Sequence, residues 1–368
     1  MTEWDTTRTS LPATPLMDTL TSKSLYSGLH WNNAFAEADG RAMLHVVRHG
    51  SDVEGWAASH LLPQRTSNPV YDAPSIIGDL ADGAPEDWYP QLLVGARNGQ
   101  CNPANLLGDE TQALSQLLDS FQQIEASSMA WLYADTQTAE RLVGADDAFV
   151  PILSEMDCTI PVRFNDLDGY LQILTGKLRY GVRRDLKQSG GLPQSEVVGA
   201  AGNDLLTACA PLAVKTQTRH GASSTPEGML RYLSKCVAAA EEAVIFYYGP
   251  REQPSAFSLA LIESDRLWVR LVGLDYGPDG ETFGRYPGVL AYGPAVFAAK
   301  RGLLEVNVGA GNSTFKRHRG AVAEPRWSLL KPPAGVTVNR AFVSARNEAR
   351  ATEWGLGSGA GILGGWRA

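Results

Sequence analysis

Leu267-Trp268-Val269-Arg270-Leu271-Val272-Gly273-Leu274-Asp275-Tyr276 and, further on, Leu303-Leu304-Glu305-Val306-Asn307-Val308-Gly309-Ala310-Gly311 decide the fold. Both are short apolar runs closed by turn residues, the pattern of a buried strand. Between them Pro287 to Arg301 reads as a helix, and Gly302 supplies its end. Strand, helix and strand in that order predict an α/β (α+β) chain with a mixed sheet. The Gly309-Ala310-Gly311 turn lets backbone amides approach a ligand closely. Phe315-Lys316, Arg317 and Arg319-Gly320 then bring a lysine and two arginines to the same rim. A turn of this kind can hold an acyl or phosphate-bearing donor.

Moving outward, Ala243 to Tyr248 and Ser255 to Glu263 read as strands, the latter joined to the Arg266 strand by a tight Ser264-Asp265 turn. Thr225-Pro226-Glu227 is a helix start, with a capping threonine, proline at the first helical position and an acid in the first turn. Asp166 to Lys187 reads as one helix, with Leu171, Leu174, Leu178, Val182 and Leu186 on a single stripe. Arg179, Arg183 and Lys187 recur four apart beside that stripe, with Arg184 and Lys177 adding charge. This edge is either a solvated helix face or one that meets a polyanionic substrate.

The first half repeats the alternation. Leu25 to Ala38 is a short helix with Trp31 and Phe35 facing a core; Ala42 to Val47 and Glu54 to His60 are strands. Thr66 to Arg97 is a long Pro/Gly/Asp/Asn-rich loop. Thr111 to Glu125 is a helix, Met129 to Ala134 a strand, Thr138 to Val143 a helix and Phe149 to Val162 a strand region. The expected division is a flexible arm over 1–22, lobes over 23–165 and 166–345, and a glycine-rich tail over 346–368.

The 368 residues suit two domains, and 44% hydrophobic with 20% charged residues is an ordinary globular composition. The net charge of -8 argues against a large DNA or RNA footprint, although seven Lys/Arg against two acids between Lys300 and Lys331 leave a local basic rim. No apolar run reaches the length of a membrane span, and Met1 to Pro15 is Thr/Ser/Pro-rich without the apolar core of a signal peptide, so a cytoplasmic protein is expected. Four scattered cysteines without a CxxC pair read as reduced packed thiols, and six histidines show no metal spacing, so no metal is expected. Gly359-Ala360-Gly361-Ile362-Leu363-Gly364 matches GxGxxG in form, but has no strand before it and no helix after it. Neither a phosphate-loop lysine pattern nor a GxSxG elbow is present.

Leu274-Asp275, Ala291-Tyr292-Gly293-Pro294, Arg301-Gly302, Gly309-Ala310-Gly311 and Phe315-Lys316 stand in the order of the second catalytic lobe of the FemABX peptidyl transferases and BioF2-like acetyltransferases. The basic helix from Asp168 to Lys187 is similar to the one opening that lobe, and Ser24 to Ser27 with Trp31 resemble the start of the first. The resemblance spans roughly residues 24 to 330. It implies two tandem lobes of the Gcn5-related N-acetyltransferase type, each a mixed, mostly antiparallel sheet flanked by helices. Arg317-His318-Arg319-Gly320-Ala321-Val322 departs from the pyrophosphate loop of simple acetyltransferases by ending in valine. That departure fits the Fem-like branch, whose members use aminoacyl-tRNA. A heptad hairpin between Gly190 and Ser224 is absent.

The resemblance implies acyl transfer to an amine, with no permanently bound cofactor. The co-substrate is aminoacyl-tRNA, met through its acceptor end, and the acceptor a small amine or hydroxylamine. An acyl-CoA or acyl-carrier-protein donor is the alternative, and a non-catalytic binding module the rival from another class. Lys316 is the implied cation for the oxyanion, Asp275 the proton acceptor, and Tyr276 and Tyr292 supply hydroxyls. Donor binding falls to Gly309, Ala310, Gly311, Asn312, Phe315, Arg317 and Arg319, and to Arg179, Arg183 and Arg184 of the basic helix.

Overall fold

The structure is a computed structural model that describes residues 3–11, 24–36, 41–66, 68–95, 102–199, 204–276, 282–357, 359–361, 363 and 366. Two compact units divide the chain: residues 1–156 with 324–368, and residues 157–323.

In the first unit β1 (Trp4–Ser10) and α1 (Leu29–Phe35) precede a hairpin of β2 (Ala42–His49) and β3 (Asp52–Leu62). Gly50, at φ 62°, supplies the left-handed turn residue that such a hairpin needs. Next come α2 (Ala73–Ile77), β4 (Gln91–Val94), β5 (Ala104–Leu106), α3 (Glu110–Gln122), β6 (Ser128–Ala134) and α4 (Thr136–Ala145). Asp109 and Asp135 cap the last two helices by accepting from Gln112 N and Thr138 N. β7 (Val150–Pro161) then carries the chain out of this unit at Met156.

The second unit holds α5 (Leu167–Ile173), α6 (Gly176–Ser189), β8 (Gln194–Val198), α7 (Asp204–Arg219), α8 (Pro226–Ala238), β9 (Glu242–Tyr248), β10 (Ala256–Glu263) and β11 (Arg266–Leu274). A helix follows in three pieces: α9 (Thr282–Pro287), a π-helical turn over Gly288–Tyr292, and α10 (Gly293–Arg301). β12 (Glu305–Gly309) and α11 (Ser313–Arg317) complete it. β13 (Val322–Lys331) and α12 (Arg340–Glu353) return the chain to the first unit.

Strand order in the first unit is β1-β2-β3-β4-β6-β13-β7, with β5 on β3; in the second it is β7-β12-β11-β10-β9-β8. β4 with β6 and β11 with β12 are parallel pairs, set among antiparallel ones such as β2 with β3, β9 with β10, β10 with β11 and β7 with β12. Each unit has its own core: Trp131, Phe121, Phe149 and Trp327 are fully buried in the first, and Tyr170, Phe246, Tyr292 and Val306 in the second. The mixed, helix-flanked sheets agree with the expected fold class.

The structure departs from the sequence reading at several points, among them α12, which runs to Glu353 inside the expected tail of 346–368, and the unread strand β8. Residues 4–10 of the expected arm form β1, paired residue by residue with β2; the rest of that arm, 12–22, lies outside the described residues, as do Cys101, Ile362 and Gly364. The segment from Glu324 packs in the first unit, whereas the sequence places everything to 345 in the second lobe. The long 66–97 loop contains α2 and β4, and β4 is a central strand whose four residues are all buried. The Asp166–Lys187 helix breaks at Leu174, which is extended with ψ 148°. The Arg179 guanidinium turns back across that break, its Nε donating to Leu171 O at 2.8 Å and Nη2 to Leu174 O at 3.1 Å. The carbonyls that end α5 are thereby satisfied. The leucine stripe runs on through the break, so its periodicity carries no trace of it.

Candidate active site

β11 and β12 run parallel for three paired positions only, ending at Trp268 opposite Asn307. Beyond that pair β11 continues to Leu274 and β12 stops at Gly309. The carboxyl ends of two adjacent parallel strands, where pairing has ceased, are where open sheets receive ligands.

The turn after β12 is built from left-handed backbone: Gly309 at φ 73°, Gly311 at φ 77° and Asn312 at φ 42°. Asparagine is among the side chains that tolerate this region. Asn312 also caps α11, its Oδ1 accepting from Phe315 N at 3.3 Å. The chain thus doubles back, and Lys316 reaches the turn from which it came. Its Nζ donates to Gly309 O at 2.9 Å and to Ala310 O at 2.6 Å, and the residue is only 5% exposed. The Gly309 amide donates to Asn307 Oδ1 at 2.9 Å. The turn therefore offers two carbonyls to the lysine and spends its Gly309 amide on Asn307, so that amide does not face a donor.

Behind α11 lies a buried polar knot. Asp185 of α6 accepts from Arg319 Nη2 at 2.7 Å and from the Tyr292 hydroxyl at 2.7 Å. The Arg319 guanidinium lies 3.5 Å over the Phe315 ring, and its Nη1 donates to Phe315 O at 3.0 Å. The Tyr170 hydroxyl donates to Arg319 O at 2.5 Å. Burial pushes the Tyr292 phenol above its ordinary value; Arg319 opposes the rise and Asp185 adds to it. Tyr170 is raised by burial as well.

The π turn explains how Tyr292 arrives there. Pro294 has no amide to donate back to Leu290 and its ring crowds that carbonyl, so the ladder shifts and Gly293 N bonds Gly288 O. The Ser258 hydroxyl donates to Val289 O at 2.6 Å, satisfying a carbonyl inside the turn.

No family's sequence profile matches this chain, and no curated protein sequence does. Solved structures do. The C-terminal domain (DUF2156) assigned to a lysylphosphatidylglycerol synthetase of Agrobacterium fabrum superposes with a TM-score of 0.54 at 11% identity, covering 94% of either chain. FemX superposes with a TM-score of 0.53 at 12% identity, over 88% of this chain and 94% of its own. The chain has the FemX fold. A tandem GNAT protein from the clavulanic acid biosynthesis pathway also aligns, with a TM-score of 0.49, 9% identity and coverage of 92% and 99%.

Within the FemX fold the expected site residues fall into three groups. Gly309, Ala310, Gly311, Asn312, Phe315 and Lys316 share one turn and helix, with Arg319 and Tyr292 joined through Asp185 behind them. Asp275 and Tyr276 stand at the end of β11: the Asp275 carboxylate, half exposed, pairs with Lys215 of α7 at 2.7 Å, and the Arg219 guanidinium lies 4.5 Å over the Tyr276 ring. The helix cations form the third group. Arg179 is committed to the break between α5 and α6, while Arg183 and Arg184 are exposed on α6, Arg184 lying 3.7 Å from Asp185. Arg317 is half-buried on α11. Sequence reasoning missed Asp185, Asn307 and Asp157. Asp185 carried a signal, because it falls three residues after buried Val182, on the inner side of an otherwise basic helix.

Among the described residues no group of three or more His, Cys, Asp or Glu is placed to hold a metal ion. No helix among them is long and apolar enough to cross a membrane.

Proposed function

We propose that this protein is an acyltransferase whose reaction takes place at the carboxyl ends of β11 and β12. It forms an amide or ester by moving an aminoacyl group from aminoacyl-tRNA to a small amine or hydroxylamine. The observation that carries the reading is the Lys316 ammonium, held inward by Gly309 O and Ala310 O at the rim where the parallel pair opens.

In the reaction the neutral amine nitrogen attacks the ester carbonyl carbon. A C–N bond forms and the carbonyl π electrons move onto oxygen. Collapse of that tetrahedral oxyanion breaks the bond to the donor's ribose oxygen, which leaves with a proton, and the attacking nitrogen loses one. A fixed cation lowers such a barrier because it is already aimed where charge develops. Lys316 supplies it. Asp275 ends the neighbouring strand and receives the proton of the amine, exchanging its Lys215 partner for the incoming group.

Aminoacyl transfer is favoured over acetyl transfer by the two structures above 0.5 in TM-score, FemX and a domain named for making lysylphosphatidylglycerol. Valine at 322 in place of the pyrophosphate-loop residue supports the same choice. The test is a mass shift on a panel of amines incubated with the protein and either charged tRNA or acyl thioesters. The reading expects product with charged tRNA that disappears on ribonuclease treatment. Ribonuclease-resistant product from a thioester would replace the donor, and no product from either would leave a binding module.

A further inference from the structure

Asn307 stands at the fork of the parallel pair, Asp157 lies on β7 across β12 from β11, and neither takes part in the proposed chemistry. Asn307 is the last residue of β12 paired to β11, opposite Trp268. It is 6% exposed, and Asp157 of β7 is 5% exposed. Asn307 Nδ2 donates to Asp157 Oδ1 at 3.1 Å and to Oδ2 at 2.9 Å. A carboxylate only accepts, so it dictates which end of the amide faces it. Asn307 Oδ1 is left pointing along β12, where it accepts from Gly309 N at 2.9 Å.

That bond grips one side of the peptide group preceding Gly309. The carbonyl of Gly309 itself, on the next peptide, takes the Lys316 ammonium at 2.9 Å. Gly309 is in left-handed backbone with no side chain of its own to fix it, and β12 is bulged against β7 at this point. Rotation of the turn would carry the Gly309 and Ala310 carbonyls, and Lys316 with them.

We infer that Asn307 and Asp157 are positioning residues for Lys316: the carboxylate orients the amide, the amide fixes the turn, and the turn's carbonyls aim the ammonium. This rests on Lys316 being the group that meets the oxyanion. Neither Asn307 nor Asp157 touches substrate.

The pair has a polarity that can be transposed. Asn307→Asp sets two carboxyl groups against each other, and Asp157→Asn removes the dictating charge. The double variant D157N/N307D restores one amide donating to one carboxylate, with an oxygen still available to Gly309 N. Two readouts apply to the full chain. One is turnover in the amine assay. The other is the rate at which a water-soluble acetylating reagent modifies Lys316, read by mass spectrometry against exposed lysines of the same sample, and it requires no substrate.

Both single variants are expected to lose about a hundredfold in kcat, with KM nearly unchanged, since a misplacement of roughly 1 Å costs that much. Lys316 should become more readily acetylated in both. The double variant should regain most of the turnover and the protection of Lys316. Melting temperatures within a few degrees of wild type separate positioning from loss of fold. Single variants that fold and keep wild-type turnover and Lys316 protection would overturn the inference. So would a double variant no better than either single one. If the wild type made no product with any donor, the proposed function would fall, and the acetylation rates would still decide the geometry.

Discussion

At the scale of single residues, Lys316 is the position on which the proposed reaction turns. Lys316→Met keeps the length and apolar character of the side chain but removes the charge that Gly309 O and Ala310 O hold. Losing one preorganised oxyanion partner costs about 10² to 10³ in kcat. The expected result is a loss of that size in the amine assay, with KM changed little. The place of Lys316 beside the glycine turn was legible, because a lysine following a glycine-rich strand end is a local pattern. Asp157 and Asn307 were not, because they lie 150 positions apart in the chain and nothing local announces a contact of that range; Asp185 showed only its inward place on a basic helix, not its partners Tyr292 and Arg319, 107 and 134 positions away. His45 is a second case of a role fixed by distant partners. It is fully buried, with its ring nitrogens 2.8 Å from the Ser120 and Ser59 hydroxyls. Burial first, then Arg8, pushes its imidazole down to about 4 from 6.5. The native ring is therefore neutral where the unfolded ring would take up a proton, so the contribution of His45 to stability rises with pH between about 4 and 6.5. The full span corresponds to about 3 kcal/mol. Denaturant titrations of wild type and His45→Gln at pH 4.5 and 7 should show the variant losing less on acidification; parallel losses would assign the acid sensitivity elsewhere.

At the scale of elements, the helix 282–301 and the break at Leu174 show what local pattern records and what it hides. The helical stretch from Pro287 to Arg301 was legible with its glycine end, but the π turn was not, since Pro294 does not by itself say whether the ladder breaks or shifts by one residue, as it does between Gly293 N and Gly288 O. A Cβ on Gly288 would lie 2.1 Å from the Tyr248 hydroxyl oxygen, and Tyr248 in turn donates to Gly191 O at 2.8 Å. Gly288→Ala should therefore cost about 1 to 3 kcal/mol, as overpacking does, measured by chemical denaturation, and Tyr248 should shift in a structure of the variant. The Arg179 bonds lead to a prediction of the opposite kind from the one its place in a basic helix suggests. The sequence reading makes it a donor contact. The structure ties it to the Leu171, Gln172 and Leu174 carbonyls. Arg179→Ala should then cost about 1 to 3 kcal/mol of stability and leave KM for the donor unchanged. An unchanged Tm with a raised KM would return Arg179 to the substrate.

At the scale of the whole molecule, the chain order and the unit order differ. The N-terminal unit is finished by the last segment of the chain: β13 lies between β6 and β7 in its sheet, and Trp327, Leu329 and Leu330 are buried in its core. α12 seals the same region through Asn347, whose Oδ1 accepts from Leu153 N at 2.9 Å and whose Nδ2 donates to Pro151 O at 2.8 Å. A helix side chain thus takes the place of a neighbouring strand for two backbone groups of β7. No strand is read from the sequence over 322–331, and since nothing local says which sheet a strand joins, the lobes read as contiguous. The physical consequence is that the first 156 residues cannot close their sheet until the chain beyond 323 is present. A chain ending at Ala323 leaves β6 with an unpaired edge and exposes the side of the core that Trp327 covers, which is an invitation to aggregate. Residues 157–323, by contrast, keep every strand of their own sheet. Hydrogen exchange of such a truncated chain should find amides of β2, β3, β6 and α3 exchanging rapidly while those of β9, β10 and α8 stay protected. Full protection of β6 in the truncated chain would show that the N-terminal unit folds without its last strand, and the dependence argued here would be lost.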